Sequence, residues 1–187
     1  MRLVLALCSI VSCFALPSLK EMTLEEKVGQ VLMVCFQGDT ANETARRLVQ
    51  DIKVGGIIYY NWANGLVSPE QIRTLSQGLQ KMARIPLWIA ADQEGGVVSR
   101  CKEGFTEFPG NRALGVSGHP DWARMSAVAV GKELKAVGIN MNLAPVVDVN
   151  CNEKNPVLYS MPSSFSLAII VPPEVNCHLS SARLYKR

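Results

Sequence analysis

Three short apolar runs, at residues 31–36, 57–60 and 87–91, alternate with stretches of helical periodicity. Thr23-Leu24-Glu25-Glu26 is a capping box and predicts a short helix ahead of the first run. Residues 40–52 set Ala45, Leu48, Val49 and Ile52 on one helical face. Ser68-Pro69-Glu70-Gln71 starts another helix, with a serine N-cap, proline at the first position and Gln71 completing the box. It runs to about Ala83 and presents Ile72, Leu75, Leu79 and Met82. Pro120 opens a helix to about Val137, Gly138 closes it, and residues 139–145 make a fourth strand. Each spacer is long enough for the crossover that joins parallel strands. The predicted fold class is therefore α/β with a parallel sheet. The pattern alone permits an open doubly wound sheet or a (β/α)₈ barrel. No GxGxxG follows the first strand, so a dinucleotide site is not supported. Residues 61–67 read as a polar loop, and 101–117 as a longer loop of the mixed kind that often carries function.

The 187 residues are 48% hydrophobic and 19% charged, which is globular, and the net charge of +3 is spread out. Without a basic stripe, nucleic acid is not an expected partner. No apolar run reaches about eighteen residues, so no ordinary membrane span is expected. The N-terminus reads as a signal peptide over residues 1–15: Arg2, an apolar core at 3–11, then Cys13 and Ala15 before a cut. The expected location is outside the cell or in a secretory compartment. Asn42-Glu43-Thr44 is a glycosylation sequon, making Asn42 the expected acceptor. The spacing of the six cysteines fits no zinc site, and no metal or cofactor is expected. Cys35, inside an apolar run, is expected to be buried.

The third run ends abruptly in Asp92-Gln93-Glu94-Gly95-Gly96, and Arg100 closes the segment. In α/β proteins ligands bind beyond the carboxyl ends of parallel strands. Asp148 follows the fourth strand in the same way. Paired carboxylates at such a rim suit glycoside hydrolysis, and the residues alone point to Asp92 with Glu94 or Asp148. Asp148 also fits a structural role, accepting loop N–H groups. Arg100 can fix an anionic group, or pair with Glu94 or Glu103. His119 and His178 have no credible nucleophile partner.

Ile85-Pro86-Leu87 leading into Asp92-Gln93-Glu94-Gly95-Gly96-x-Val98-x-Arg100 resembles the N-terminal catalytic domain of glycoside hydrolase family 3. The branch is the bacterial-type β-N-acetylglucosaminidases, or β-N-acetylhexosaminidases. Leu24-Glu25-Glu26-Lys27-Val28-Gly29-Gln30, Val54-Gly55-Gly56-Ile57-Ile58, Phe108-Pro109-Gly110-Asn111 and Ala144-Pro145-Val146-Val147-Asp148-Val149 follow in the family's order. The resemblance covers about residues 22–157 and leaves 158–187 as an irregular tail without a family pattern. It implies a partial TIM-like (β/α)₈ barrel of about three and a half βα units, with an open sheet edge and exposed apolar helix faces. It also implies retaining hydrolysis of terminal β-linked N-acetylglucosamine, with carbohydrate as partner and no metal. Asp92 and Arg100 match substrate-binding positions, which leaves Glu94 and Asp148 as secondary candidates. The family's nucleophilic aspartate and its acid/base histidine, in a Lys-His-Phe-Pro-Gly-His-Gly motif, match nothing in this sequence. A truncated gene product lacking hydrolytic activity is therefore expected. The alternatives are a β-glucosidase fragment of the same family and a non-catalytic sugar-binding chain.

Overall fold

The computed structural model describes residues 16–146 and a two-residue strand at 178–179. Asp148 and the signal-like residues 1–15 lie outside the described residues. Helix α1 (Leu24–Gln30) begins with the predicted capping box, Thr23 Oγ1 accepting from the Glu26 N–H and the Glu26 carboxylate from the Thr23 N–H. Strand β1 (Met33–Val34) is shorter than the apolar run that predicted it. Helix α2 (Glu43–Arg46) continues as a π-turn, Arg47–Asp51.

That π-turn corrects the expected helical face. Ala45 and Val49 are buried as predicted, but Ile52 is 49% exposed. The Ile52 N–H bonds to the Arg47 carbonyl five residues back, so the widened turn rotates Ile52 off the apolar stripe. Cys35 is exposed, against expectation. Strand side chains alternate between faces, and Val34 and Phe36 take the core side. Among the described residues the buried thiol is Cys101, whose pKa burial raises to about 12.

Strand β2 (Gly56–Tyr59) follows, then a short helix α3 (Asn61–Asn64) where a polar loop was expected. Asn64 explains the helix. It is fully buried, donates to the Phe36 and Gly38 carbonyls, and accepts from the Tyr60 N–H. One side chain thus ties the ends of β1 and β2 together. Helix α4 (Pro69–Met82) starts at Ser68 as predicted and buries Ile72, Leu75 and Leu79. Gln71 does not complete a capping box; its amide donates to the Asp39 and Asn64 carbonyls.

Strand β3 (Trp88–Ala91) leads into an antiparallel ribbon of β4 (Gln93–Gly95) and β5 (Val98–Ser99). The loop after it ends in helix α5 (Asn111–Ser117). Helix α6 (Pro120–Ala136) ends at Gly138, whose φ of 82° suits a residue without a side chain. Strands β6 (Met141–Asn142) and β7 (His178–Leu179) follow.

The sheet order is β1-β2-β3-β6-β7 and every pairing in it is parallel, the α/β class expected. The core sits where α4 and α6 supply Leu75, Leu79, Val130 and Leu134 against Ile57, Tyr59, Ile89 and Ala91 of the sheet. Among the described residues the sheet is open, with β1 at one edge. Val31, Leu32 and Met33 beside that edge, and Leu24 and Val28 on α1, are exposed, as expected for an arc of a barrel.

β3 and β6 are joined by more than backbone. The Asn140 amide accepts from the Ile89 N–H at 2.7 Å and donates to the Leu87 carbonyl at 2.9 Å. The Asn142 amide accepts from the Gln93 N–H and donates to the Gln93 carbonyl, both at 3.0 Å. These side chains extend the ladder beyond the short strand on both sides.

Candidate substrate-binding site

The register Tyr59↔Ala91 and Ala91↔Asn142 aligns the carboxyl ends of β2, β3 and β6. Tyr60 and Asp92 therefore leave the sheet side by side, at the rim where α/β proteins bind ligands. The ribbon β4-β5 then folds Arg100 back onto Asp92. The Arg100 N–H bonds to the Asp92 carbonyl at 3.2 Å. The Arg100 Nε and Nη2 donate to Asp92 Oδ2 at 3.1 and 2.7 Å. Both donors converge on one oxygen, so Asp92 Oδ1 has no hydrogen bond among the described residues.

The pair is partly exposed, 30% for the arginine side chain and 19% for the aspartate, enough for a ligand to reach it. The alternative of Arg100 pairing with Glu94 or Glu103 is not what forms; its ion pair is with Asp92. The guanidinium carbon also lies 5.3 Å from the Tyr60 ring centroid, a cation–π contact. The Asn61 amide donates to the Arg100 carbonyl. Tyr60 and Asn61 went unnoticed in the sequence. Their one signal was polar and aromatic residues just past a buried strand.

Gln93 anchors this arrangement. It is 6% exposed, and its amide donates to the Cys101 carbonyl at 2.8 Å and accepts from the Cys101 N–H at 3.0 Å. The residue after Arg100 is thereby fixed to the residue after Asp92. Gly95 and Gly96 have φ of 87° and 61°, and the Gly96 N–H bonds to the Phe108 carbonyl at 2.8 Å. A Cβ on Gly95 would come within 2.6 Å of the Pro109 carbonyl oxygen. The glycines let the ribbon lie against Phe108-Pro109-Gly110, so two segments distant in sequence form one wall.

Glu94 is half-buried and its carboxyl is pushed up to about 7, chiefly by desolvation, then by the nearby Asp92 charge, with Arg100 opposing. Its carboxylate accepts no hydrogen bond among the described residues. The folded protein holds this proton more tightly than the unfolded chain, where the value is near 4.5. Raising the pH from about 4.5 to 7 strips the proton more readily from the unfolded chain, so stability falls across that window. Glu94→Gln should flatten the fall in melting temperature between pH 5 and pH 7.5. An unchanged slope in the variant would exclude Glu94 as its source.

Asn42 serves as N-cap of α2, accepting from the Ala45 N–H and donating to the Gln37 carbonyl. A glycan there would share the nitrogen that makes the second bond. Among the described residues no three His, Cys, Asp or Glu side chains cluster as a metal site. No helix among them is long and apolar enough to cross a membrane.

This fold matches known proteins. Residues 23–166 match the family profile described as the glycosyl hydrolase family 3 N terminal domain, a match that runs past Val157. The chain belongs to glycoside hydrolase family 3. A β-hexosaminidase A of Pseudoalteromonas piscicida is 35% identical over 175 residues, 80% of this chain and 29% of that protein. A family 3 β-N-acetylglucosaminidase from Paenibacillus sp. superposes with a TM-score of 0.70 at 46% identity, covering 73% of this chain and 26% of that one. NagZ from Neisseria gonorrhoeae, solved in complex with N-trifluoroacetyl-D-glucosamine, gives 0.58 at 30% identity over 63% of this chain and 36% of its own. The chain spans about a third of the length of the curated relatives it matches.

Proposed function

We propose that this chain carries the sugar-gripping part of a retaining β-N-acetylhexosaminidase domain, and that Asp92 and Arg100 hold a terminal N-acetylglucosamine. The observation that carries the reading is the convergence of both Arg100 donors on Asp92 Oδ2. Oδ1 is then free to accept from a sugar hydroxyl, and the remaining Arg100 N–H groups can reach a sugar oxygen. Hydrogen bonds to charged groups contribute about 1.5–3 kcal/mol each. A carboxylate held by its arginine is already oriented and loses little entropy on binding. Support for the substrate class comes from the relatives, named β-hexosaminidases and β-N-acetylglucosaminidases.

Hydrolysis needs a nucleophile and an acid/base. No Lys-His-x-x-Gly-His motif occurs in the 187 residues, so the chain should bind without turnover. Calorimetric titration with N-acetylglucosamine tests the reading, alongside release of an aryl group from its β-N-acetylglucosaminide. The unaltered chain should bind the sugar and leave the aryl glycoside intact. Asp92→Asn should weaken binding at least about tenfold, the loss of one charged hydrogen bond. Equal binding by the variant would sink the assignment of Asp92. One relative from Cellulomonas fimi is named both a β-N-acetylglucosaminidase and a β-glucosidase. Glucose binding as tight as N-acetylglucosamine binding would favour that second activity.

A further inference from the structure

Trp62 is 68% exposed, a large apolar ring standing in solvent. Other exposed large apolar side chains on α1, the β1 edge and α6 lie apart from it. Trp62 differs because it is joined to the polar site. Its ring stacks on Tyr60 with centroids 5.4 Å apart and planes 21° from parallel. The Arg100 guanidinium carbon lies 5.3 Å from the same Tyr60 ring. The contacts run in the order Asp92, Arg100, Tyr60, Trp62, so the indole stands outermost.

The indole is also held in place. It belongs to α3, whose last residue is the buried Asn64 that ties β1 to β2. An exposed ring with a fixed position is pre-organised to receive a flat apolar surface, without ordering a loose side chain first. A pyranose offers such a surface, because its axial C–H bonds leave one face apolar. Stacking that face on an indole buries apolar area on both partners and leaves the hydroxyls at the edge in water.

We propose that Trp62 forms an outer subsite that stacks on the second sugar ring, next to the terminal N-acetylglucosamine held by Asp92 and Arg100. This rests on the assignment of that pair as the terminal sugar's site. The division of labour is chemical. Charged groups with directional hydrogen bonds fix the first ring, and an aromatic face with no polar demands accepts the next. The subsite therefore favours a β-linked disaccharide over a monosaccharide and tolerates variation in the second ring's hydroxyls.

The test is calorimetric titration of the whole chain with N-acetylglucosamine and with its β-1,4-linked disaccharide. The unaltered chain should bind the disaccharide about five- to tenfold more tightly. Trp62→Ala should remove that advantage and leave the monosaccharide affinity unchanged, while Trp62→Phe should keep most of it. Asp92→Asn should weaken both sugars together. Equal affinity of the unaltered chain for the two sugars would overturn the subsite and leave the Asp92–Arg100 assignment standing. So would a Trp62→Ala variant that kept the preference, or one that lost both sugars equally. Failure of the unaltered chain to bind either sugar would overturn the assignment and the subsite together.

Discussion

Gln93→Ala should destabilise the fold by about 3–5 kcal/mol and abolish the proposed sugar binding. The wild-type amide satisfies both backbone groups of Cys101, at 2.8 and 3.0 Å, in a position 6% exposed. Removing it leaves a buried N–H and a buried carbonyl without partners, each costing about 1–3 kcal/mol. It also empties the space of the side chain. The effect on binding follows from sequence neighbours. Cys101 adjoins Arg100 and Gln93 adjoins Asp92, so this amide sets how the two charged groups face each other. Urea unfolding reads the first effect and calorimetric titration the second. A loss under about 1 kcal/mol, or unchanged sugar affinity, would show that the ion pair holds itself in place.

Gly95→Val should cost at least about 3 kcal/mol. Its φ of 87° is open to glycine and closed to a β-branched residue. The added Cβ would meet the Pro109 oxygen at 2.6 Å and the Phe108 oxygen at 3.2 Å, and both atoms are backbone. No rotamer change relieves that contact, so the ribbon must leave the Phe108-Pro109-Gly110 wall. Gly115 in α5 is the control, since a Cβ there meets nothing within 4 Å. Gly115→Ala should be neutral, or stabilising by up to about 1 kcal/mol. If the two substitutions cost the same in parallel thermal melts, close approach at Gly95 is not what shapes the wall.

The parts of this molecule legible in the sequence were those set by local chemistry. The capping box at Thr23, the Ser68-Pro69 start and Gly138 after α6 all mark real helix ends, because the groups that satisfy a helix terminus lie within a few residues of it. Asp92 and Arg100 stood out for the same reason, as charges following a buried strand. What stayed hidden depends on partners far along the chain. Asn64 makes a helix of an expected loop because Phe36 and Gly38 need a donor. Gln71 turns from its cap to Asp39 and Asn64. Ile52 faces solvent because a π-turn shifts the phase of its helix, and apolar spacing does not signal an extra residue per turn. The Tyr60–Arg100 contact needs the ribbon to fold back, and the ribbon in turn needs Cys101 to meet Gln93.

The two asparagines at β6 set the alignment of that strand. A strand only two residues long holds its phase weakly against its neighbour. Asn140 and Asn142 act together as a vernier, each engaging backbone that the strand itself is too short to reach. Shifting β6 by one residue would bring Met141 and Leu143 to those positions, and neither has an amide to offer. The slipped alignment would forfeit four hydrogen bonds at once, so the chain leaves β6 at one fixed point beside Asp92. The position of Leu143 relative to Asp92 is indexed by carboxamides rather than by strand length.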